Sequence, residues 1–432
     1  MMLLQENCVS LYDISMFLSA TADMVSPALF DHHKRVAVIA LSIAREMGLD
    51  EEVQQQTIIA SLLHDIGALS LMERIELLQF EERIGKVNPY HHADAGYLLL
   101  KKFSHLAGAA DLIRYHHDWW DRSGRGFGGE DIPVASHIIH LADRIDIMSR
   151  KKEFSLSDAE HVTETITGHR GTMFAPDVVD AYRSLGEKEY FWFQLSYPDS
   201  VLRGCRSFKS VRLNLSELLE LSGILCQIID FRSRFTSTHS SGVAAASERM
   251  AGLMGYSPQE SMMMKLAGYL HDLGKLAVPG EILDKPSALT PMEYMIIKKH
   301  PYLTYRMLSM IENLEVINIW ASLHHERMDG TGYPFHVGGE GLYLGSRIIA
   351  VTDVFVALTE NRPYRKAMEA HAAMKVLKQM ASSATIDGSV VSVLNSNFDE
   401  INDIRRQEQE EAFEYYVDFG KNIFAGQGAA VN

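Results

Sequence analysis

The chain has 432 residues, 47% of them hydrophobic, which is long enough for two ordinary domains with their own cores and too apolar for a disordered protein. A formal net charge of −15 speaks against holding a long nucleic acid by counterion release, although a local cationic pocket can still take a small anion. No run nears the roughly 18 apolar residues that span a bilayer, and the scattered Cys8, Cys205 and Cys226 make neither a disulfide framework nor a CxxC metal site.

The opening "MMLLQENCVSLYDIS" has no basic n-region, so no signal peptide is expected, and with the cysteine usage this points to the cytoplasm. "SPALFDHHKRVAVIALSIAREMG" (26–48) carries apolar residues three and four apart and predicts a helix stopped at Gly48. The aromatic "EKEYFWFQL" is expected to pack against one domain or between two. "LSYPDSVLRGCRSFKS" (195–210), with Pro, Gly and alternating charge, reads as the boundary region and sets expected domains at 1–200 and 205–432. "LNLSELLELSGILCQIIDF" follows with helical spacing, better suited to core or inter-domain packing than to a dimer seam. In "LTPMEYMIIKKH", Thr290 as N-cap, Pro291 at N1 and Glu293 at N3 form a capping box on a helix expected to deliver His300 at its end. In "HHERMDGTGYP" (324–334), Gly330 and Gly332 predict a turn behind two adjacent histidines. Strand-like alternation is scarce, so two helical domains are expected.

The chain is written twice. "LLHDIGAL" (62–69) is echoed by "YLHDLGKL" (269–276), and "IIHLAD", ending at Asp143, by "IIAVTD", ending at Asp353. His32, His64, His92, His116 and Asp143 pair with His239, His271, His300, His324 and Asp353 at offsets of 207, 207, 208, 208 and 210. Chance histidines would not keep step over such a span, so the pattern implies a duplicated domain.

In the second copy the candidate metal ligands are His239, His271, Asp272, His300, His324, His325 and Asp353. Five imidazoles and two carboxylates exceed one ion's needs and suit two. Adjacent helix residues point about 100° apart, so His271 with Asp272, and His324 with His325, are expected to serve neighbouring ions, with Asp272 as the bridge. Nitrogen and oxygen ligands without thiolate suit Fe, Mn, Co, Ni or Zn. Two ions roughly 3.5–4 Å apart stabilise the attacking and leaving oxygens of phosphoryl chemistry and activate water. Lys275, three residues after Asp272, shares its helical face and can offset phosphate charge. A lone His-Asp pair is ordinary in a core; seven such residues in this order, with a lysine attached, are not. Glu326 and Asp329, beside the ligand histidines, are read either as carboxylates orienting an imidazole or as exposed loop acids.

"HDLGK", "KKHP", "HHERMDGTGYP" and "TDVFVALTENRPYRK" together resemble the HD-GYP branch of the HD superfamily of metal-dependent phosphohydrolases, over roughly residues 213–400. The resemblance implies an all-α fold of two tandem HD-type domains, an N-terminal HD and a C-terminal HD-GYP. It further implies two divalent ions, Fe, Mn or another first-row metal, held by the seven residues. Hydroxide would attack a cyclic dinucleotide phosphodiester to give the linear 5′-phosphodinucleotide. Lys275 would touch the scissile phosphate, Tyr333 would sit beside the substrate, and Arg362 and Arg365 would contact guanine or phosphate. Asp272 and Lys275 are thus the expected catalytic pair. The tandem arrangement resembles bacterial 3′3′-cGAMP phosphodiesterases, and 3′3′-cGAMP and c-di-GMP both remain as substrates. No long nucleic acid and no membrane are expected as partners; a homodimer or a signalling-protein partner is. A non-catalytic cyclic-dinucleotide sensor is the alternative, and a hydrolase of monomeric nucleotides fits less well with an intact GYP loop.

Two departures from the family pattern stand out. Where some members carry a third-metal glutamate four residues before the first ligand histidine, this chain has Phe235, which favours two ions. Where the family has an acid in "DxxDALT", this chain has Val356, putting one supporting interaction in doubt.

The first copy keeps His32, His64, Asp65, His92, His116, His117 and Asp143 as a candidate second metal site. Ala68 stands at the lysine position, and in "HHDWWDRSGRGFGG" the Tyr-Pro has become Arg125-Gly126. A partner or regulatory domain is expected there, ahead of a second hydrolase.

Overall fold

The computed structural model describes residues 8–23, 30–68, 90–121, 131–150, 155–207, 211–231, 238–283, 285, 287–360 and 366–425. Among them strand is confined to two residues each at Val9–Ser10 and Arg212–Leu213; the rest is helix and connection. The described residues divide into two compact units, one within 10–211 joined by 422–425, the other of 8–9 with those within 212–421.

In the N-terminal unit the core is built on the helix His32–Glu46, whose Val36 to Leu41 are wholly buried. Helices Glu51–Leu63, Val134–Ser149 and Pro176–Gly186 pack around it. Of the predicted 26–48 helix, 26–29 lie outside the described residues; the observed helix starts at His32, because Asp31 takes a left-handed conformation (φ 57°), and ends two residues before Gly48 (φ 68°). Of the aromatic stretch, Phe191 and Trp192 are buried against Tyr182 while Tyr190 and Phe193 stay exposed. These rings therefore close this unit's own core.

In the C-terminal unit the helices His239–Leu253 and Pro258–Leu270 form the closest packed pair, crossed by Leu215–Phe231 and Leu344–Thr359. Gly268 permits that closeness: a Cβ there would stand 2.5 Å from the Ala244 Cα. The capping box at Thr290 forms as expected, yet its helix stops at Ile297, and His300 opens the next helix, His300–Leu308. Pro301 lies at that helix's second position, where no amide is needed for an intrahelical bond.

Candidate active site

Three of the five histidines of the C-terminal set are aimed by their own backbone. The Nδ1 of His271 lies 2.7 Å from the Gly268 carbonyl, that of His300 2.7 Å from Ile297, and that of His324 2.6 Å from Ala321. A carbonyl only accepts, so Nδ1 carries the proton in all three and Nε2 presents a lone pair. The arrangement recurs because each histidine sits at a helix end, where the carbonyl three residues back has no amide partner.

These lone pairs converge on one buried carboxylate. Asp272 Oδ1 lies 3.3 Å from His300 Nε2 and 3.9 Å from His324 Nε2, while its Oδ2 lies 3.2 Å from His271 Nε2. His300 Nε2 and His324 Nε2 face each other at 3.3 Å with no proton available to either. His271 Nε2 is buried and has no hydrogen-bond donor. Apart from the Lys275 ammonium at Asp272 Oδ2, these converging acceptors meet no donor among the described residues and are repulsive unless a cation lies among them, so this donor set fits metal ions.

The atoms fall into two groups, His300 with His324 and His325, and His239 with His271 and Asp353. The two oxygens of Asp272 point one to each, as a bridge requires. This corrects the expectation that His324 and His325 serve different ions. His325 lies beyond the helix that ends at Ser322, so the 100° helical offset does not govern the pair; their rings lie 4.2 Å apart and face the same group. His271 and Asp272 also converge, because the chain leaves the helix at His271 and Asp272 turns back (φ −96°, ψ 9°).

Burial, with the charge that His300 would bring if it were protonated, pushes His325 down to about 3, so its ring is neutral and able to ligate. His239 behaves oppositely. Burial alone would depress it, but the Glu360 charge and the hydrogen bonds the ring donates to Asp353 and Glu360 outweigh that and raise it to about 10. Lys275 follows Asp272 through a tight turn of 3₁₀ helix, which brings its ammonium onto Asp272 Oδ2. The side chains of Lys275 and Asp353 are 24% and 17% exposed, marking the side from which an anion can enter.

Four contributors escaped the sequence reading. Glu360 holds His239 Nδ1 at 3.1 Å. In the N-terminal unit that duty falls to Asp146, 2.7 Å from His32 Nδ1 and three residues after Asp143. The equivalent position in the second copy is Val356, fully buried, so the acid lost there is replaced seven residues after Asp353. The repeated glycine of "HDIG" and "HDLG" is the shared sign of a close approach. A Cβ on Gly67 would lie 2.1 Å from the His92 carbonyl oxygen, and one on Gly274 would lie 2.0 Å from that of His300.

Among the described residues Glu326 makes no hydrogen bond to a candidate ligand histidine. Its buried carboxylate accepts from the backbone amides of Phe335 at 2.6 Å and of His336 and Val337 at 3.1 Å, clamping the turn that carries Tyr333. Asp329 is the loop acid, accepting from the Thr331 amide and hydroxyl. The Tyr333 ring lies 4.9 Å from that of His325, with the Lys298 ammonium 4.7 Å from its centre. Arg362, Arg365 and Phe235 lie outside the described residues, as do Gly124 to Gly126 of the first copy.

The N-terminal unit repeats the geometry. His92 Nε2 lies 3.3 Å from Asp65 Oδ1, 3.3 Å from His116 Nε2 and 3.0 Å from His117 Nε2. His64 Nε2 lies 3.3 Å from Asp65 Oδ2, and His32 Nε2 lies 3.4 Å from Asp143 Oδ1. Ala68 is buried where the second copy has Lys275. The cation here is Arg144, 3.0 Å from Asp143 Oδ2.

Residues 29–148 and 223–390 each match the HD domain family. The chain is 31% identical to the 3′3′-cGAMP-specific phosphodiesterase 1 of Vibrio cholerae, over 88% of this chain and 90% of that protein. It is 39% identical to the cyclic di-GMP phosphodiesterase response regulator RpfG of Xanthomonas campestris, over 35% of this chain and 41% of that one. Among solved structures, the cyclic GMP-AMP specific phosphodiesterase V-cGAP3 of V. cholerae shares the fold with a TM-score of 0.64 at 22% identity, over 91% of this chain and 98% of that one. No helix among the described residues is long and apolar enough to cross a membrane.

Proposed function

The chain belongs to the HD domain family of cyclic dinucleotide phosphodiesterases, and we propose that its C-terminal unit opens 3′3′-cGAMP, c-di-GMP or both to the linear 5′-phosphodinucleotide. The observation that carries this reading is the bridging posture of Asp272, with one oxygen toward each group of imidazoles. Two divalent ions held by His239, His271, Asp272, His300, His324, His325 and Asp353 would supply water activation and charge neutralisation when bound. Water adds across the phosphorus–O3′ bond; the 3′-oxygen leaves with a proton and the phosphate stays on the 5′-carbon.

The chain's own side chains bind and orient. Lys275, at the exposed edge of Asp272, offers its ammonium to the phosphate and offsets the charge that builds on it. Tyr333, held against His325 by the Glu326 clamp, forms a wall for a base. Arg362 and Arg365 supply planar donors to guanine or phosphate. The N-terminal unit, without the lysine and the Tyr-Pro turn, acts as a metal-bearing partner or regulatory domain, its ligands being His32, His64, Asp65, His92, His116, His117 and Asp143.

The test is mass-spectrometric product analysis with Mn²⁺ or Fe²⁺ and a mixture of 3′3′-cGAMP, c-di-GMP and c-di-AMP. Selective loss of one substrate with its linear 5′-phosphodinucleotide appearing is the expected result. Survival of all three in metal-loaded protein would overturn hydrolysis and leave a sensor.

A further inference from the structure

The N-terminal unit contains an imidazole that the repeat does not predict. His33, next to the first ligand histidine, is 1% exposed, and its counterpart in the second copy is Ser240. Its Nδ1 lies 2.5 Å from Asp23 Oδ1, so that side of the ring is committed to a carboxylate, as His32 is to Asp146. The other nitrogen, Nε2, is buried without a hydrogen-bond partner. It faces Asp65 Oδ2 at 3.9 Å, and its ring centre lies 5.1 Å from that of His64. His33, His64 and Asp65 form a group whose ligand atoms all lie within 4.8 Å of one another.

Two ligands on one ion, each about 2.1 Å from it, stand roughly 3.0–4.2 Å apart. The separations here match. His64 Nε2 to Asp65 Oδ2 is 3.3 Å, His32 Nε2 to Asp143 Oδ1 3.4 Å, His32 Nε2 to Asp65 Oδ2 3.7 Å, and His64 Nε2 to Asp143 Oδ1 4.0 Å. The His33 distance to Asp65 falls within the same span. A buried ring with its far nitrogen held by a carboxylate and its near nitrogen aimed at other acceptors has the form of a carboxylate-oriented metal ligand.

We propose that His33 is an additional metal ligand of the N-terminal unit, giving one ion there five protein ligands: His32, His33, His64, Asp65 and Asp143. The corresponding ion of the C-terminal unit has four: His239, His271, Asp272 and Asp353. An octahedral ion with five protein ligands keeps one position for water or substrate, and one with four keeps two. The N-terminal ion is therefore the more closed and the more slowly exchanged. This rests on the reading that the N-terminal unit binds metal, and the experiment separates the two.

Full-length protein loaded with Co²⁺ is dialysed against excess EDTA, and metal per chain is followed by mass spectrometry alongside the visible Co²⁺ spectrum. Wild type should retain a slowly released ion. His33→Ser, which installs the residue the second copy uses, should release that ion at least about tenfold faster and alter the spectrum. Asp23→Asn keeps the ring and removes its orienting charge, and should also speed release by about 10–100-fold; it serves if His33→Ser does not fold. His64→Ala controls for the underlying reading. If His64→Ala lowers the metal content but His33→Ser and Asp23→Asn leave release and spectrum unchanged, His33 is no ligand and the proposal fails alone. If His64→Ala leaves the metal content at the wild-type value, the N-terminal unit holds no such ion and both readings fall.

Discussion

Replacing Glu326 with Gln removes a charge and one acceptor while keeping the shape. In the native chain Oε1 takes the amides of Phe335 and His336 and Oε2 takes that of Val337, all inside a side chain 3% exposed. Glutamine can keep its carbonyl toward the first two amides, but its NH₂ then faces the third, donor against donor. A hydrogen bond to a charged group contributes about 1.5–3 kcal/mol against about 0.5–1.5 for a neutral one, and a buried unmet donor costs about 1–3, so the loss should be about 3–5 kcal/mol. For a unit of this size that lowers the melting temperature by on the order of 10 °C. Because the clamped turn carries Tyr333, whose ring rests on His325, the variant should also bind substrate more weakly. Thermal melts with hydrogen exchange at the 335–337 amides provide the assay. A melting temperature within about 2 °C of wild type, with protection unchanged at those amides, would refute the clamp.

Asp272→Ala should abolish metal-dependent turnover, since each group of imidazoles loses its shared carboxylate, whereas Lys275→Ala should slow turnover with metal content near normal; metal analysis beside kinetics checks both, and retained activity in the first or metal loss in the second contradicts the assigned roles. Gly274→Ala should destabilise the C-terminal unit and displace the Asp272 turn, because the new methyl would meet the His300 carbonyl oxygen at 2.0 Å; an unchanged melt contradicts the close approach. His239 is raised from 6.5 to about 10 without metal, so its proton competes with metal below about pH 10. Apparent metal affinity should therefore climb with pH, about tenfold per unit for each proton displaced. In metal-free protein the sign reverses: the stability from protonated His239 is complete below pH 6.5 and is lost as pH rises through about 10, which melts in EDTA will show. His64→Ala with Asp65→Ala should leave cyclic dinucleotide hydrolysis in place, and complete loss from a folded protein would bring the N-terminal unit into the reaction.

The residue order alone determined a great deal. Helical periodicity, the capping box at Thr290 and five offsets between 207 and 210 were enough to read a duplicated helical chain and to pick out both sets of candidate ligands. Such signals are local, or repeat in step, and so survive in one dimension. What the sequence left open depends on contacts between distant segments or on where a helix stops. Whether Glu326 orients a histidine or clamps a loop depends on amides nine to eleven residues away folding back onto it. Which acid steadies His239 depends on a helix bringing Glu360 beside it across 121 positions, after Val356 had removed the expected one. That His324 and His325 share a group follows from their helix ending at Ser322, since the angular rule holds only within a helix. His33 looked like any residue beside a ligand until Asp23 and Asp65 closed around it. Residue type decides which groups can coordinate; only the packed helices decide which lone pairs meet, because a metal site is defined by convergence within a few ångströms and sequence spacing carries no such distance.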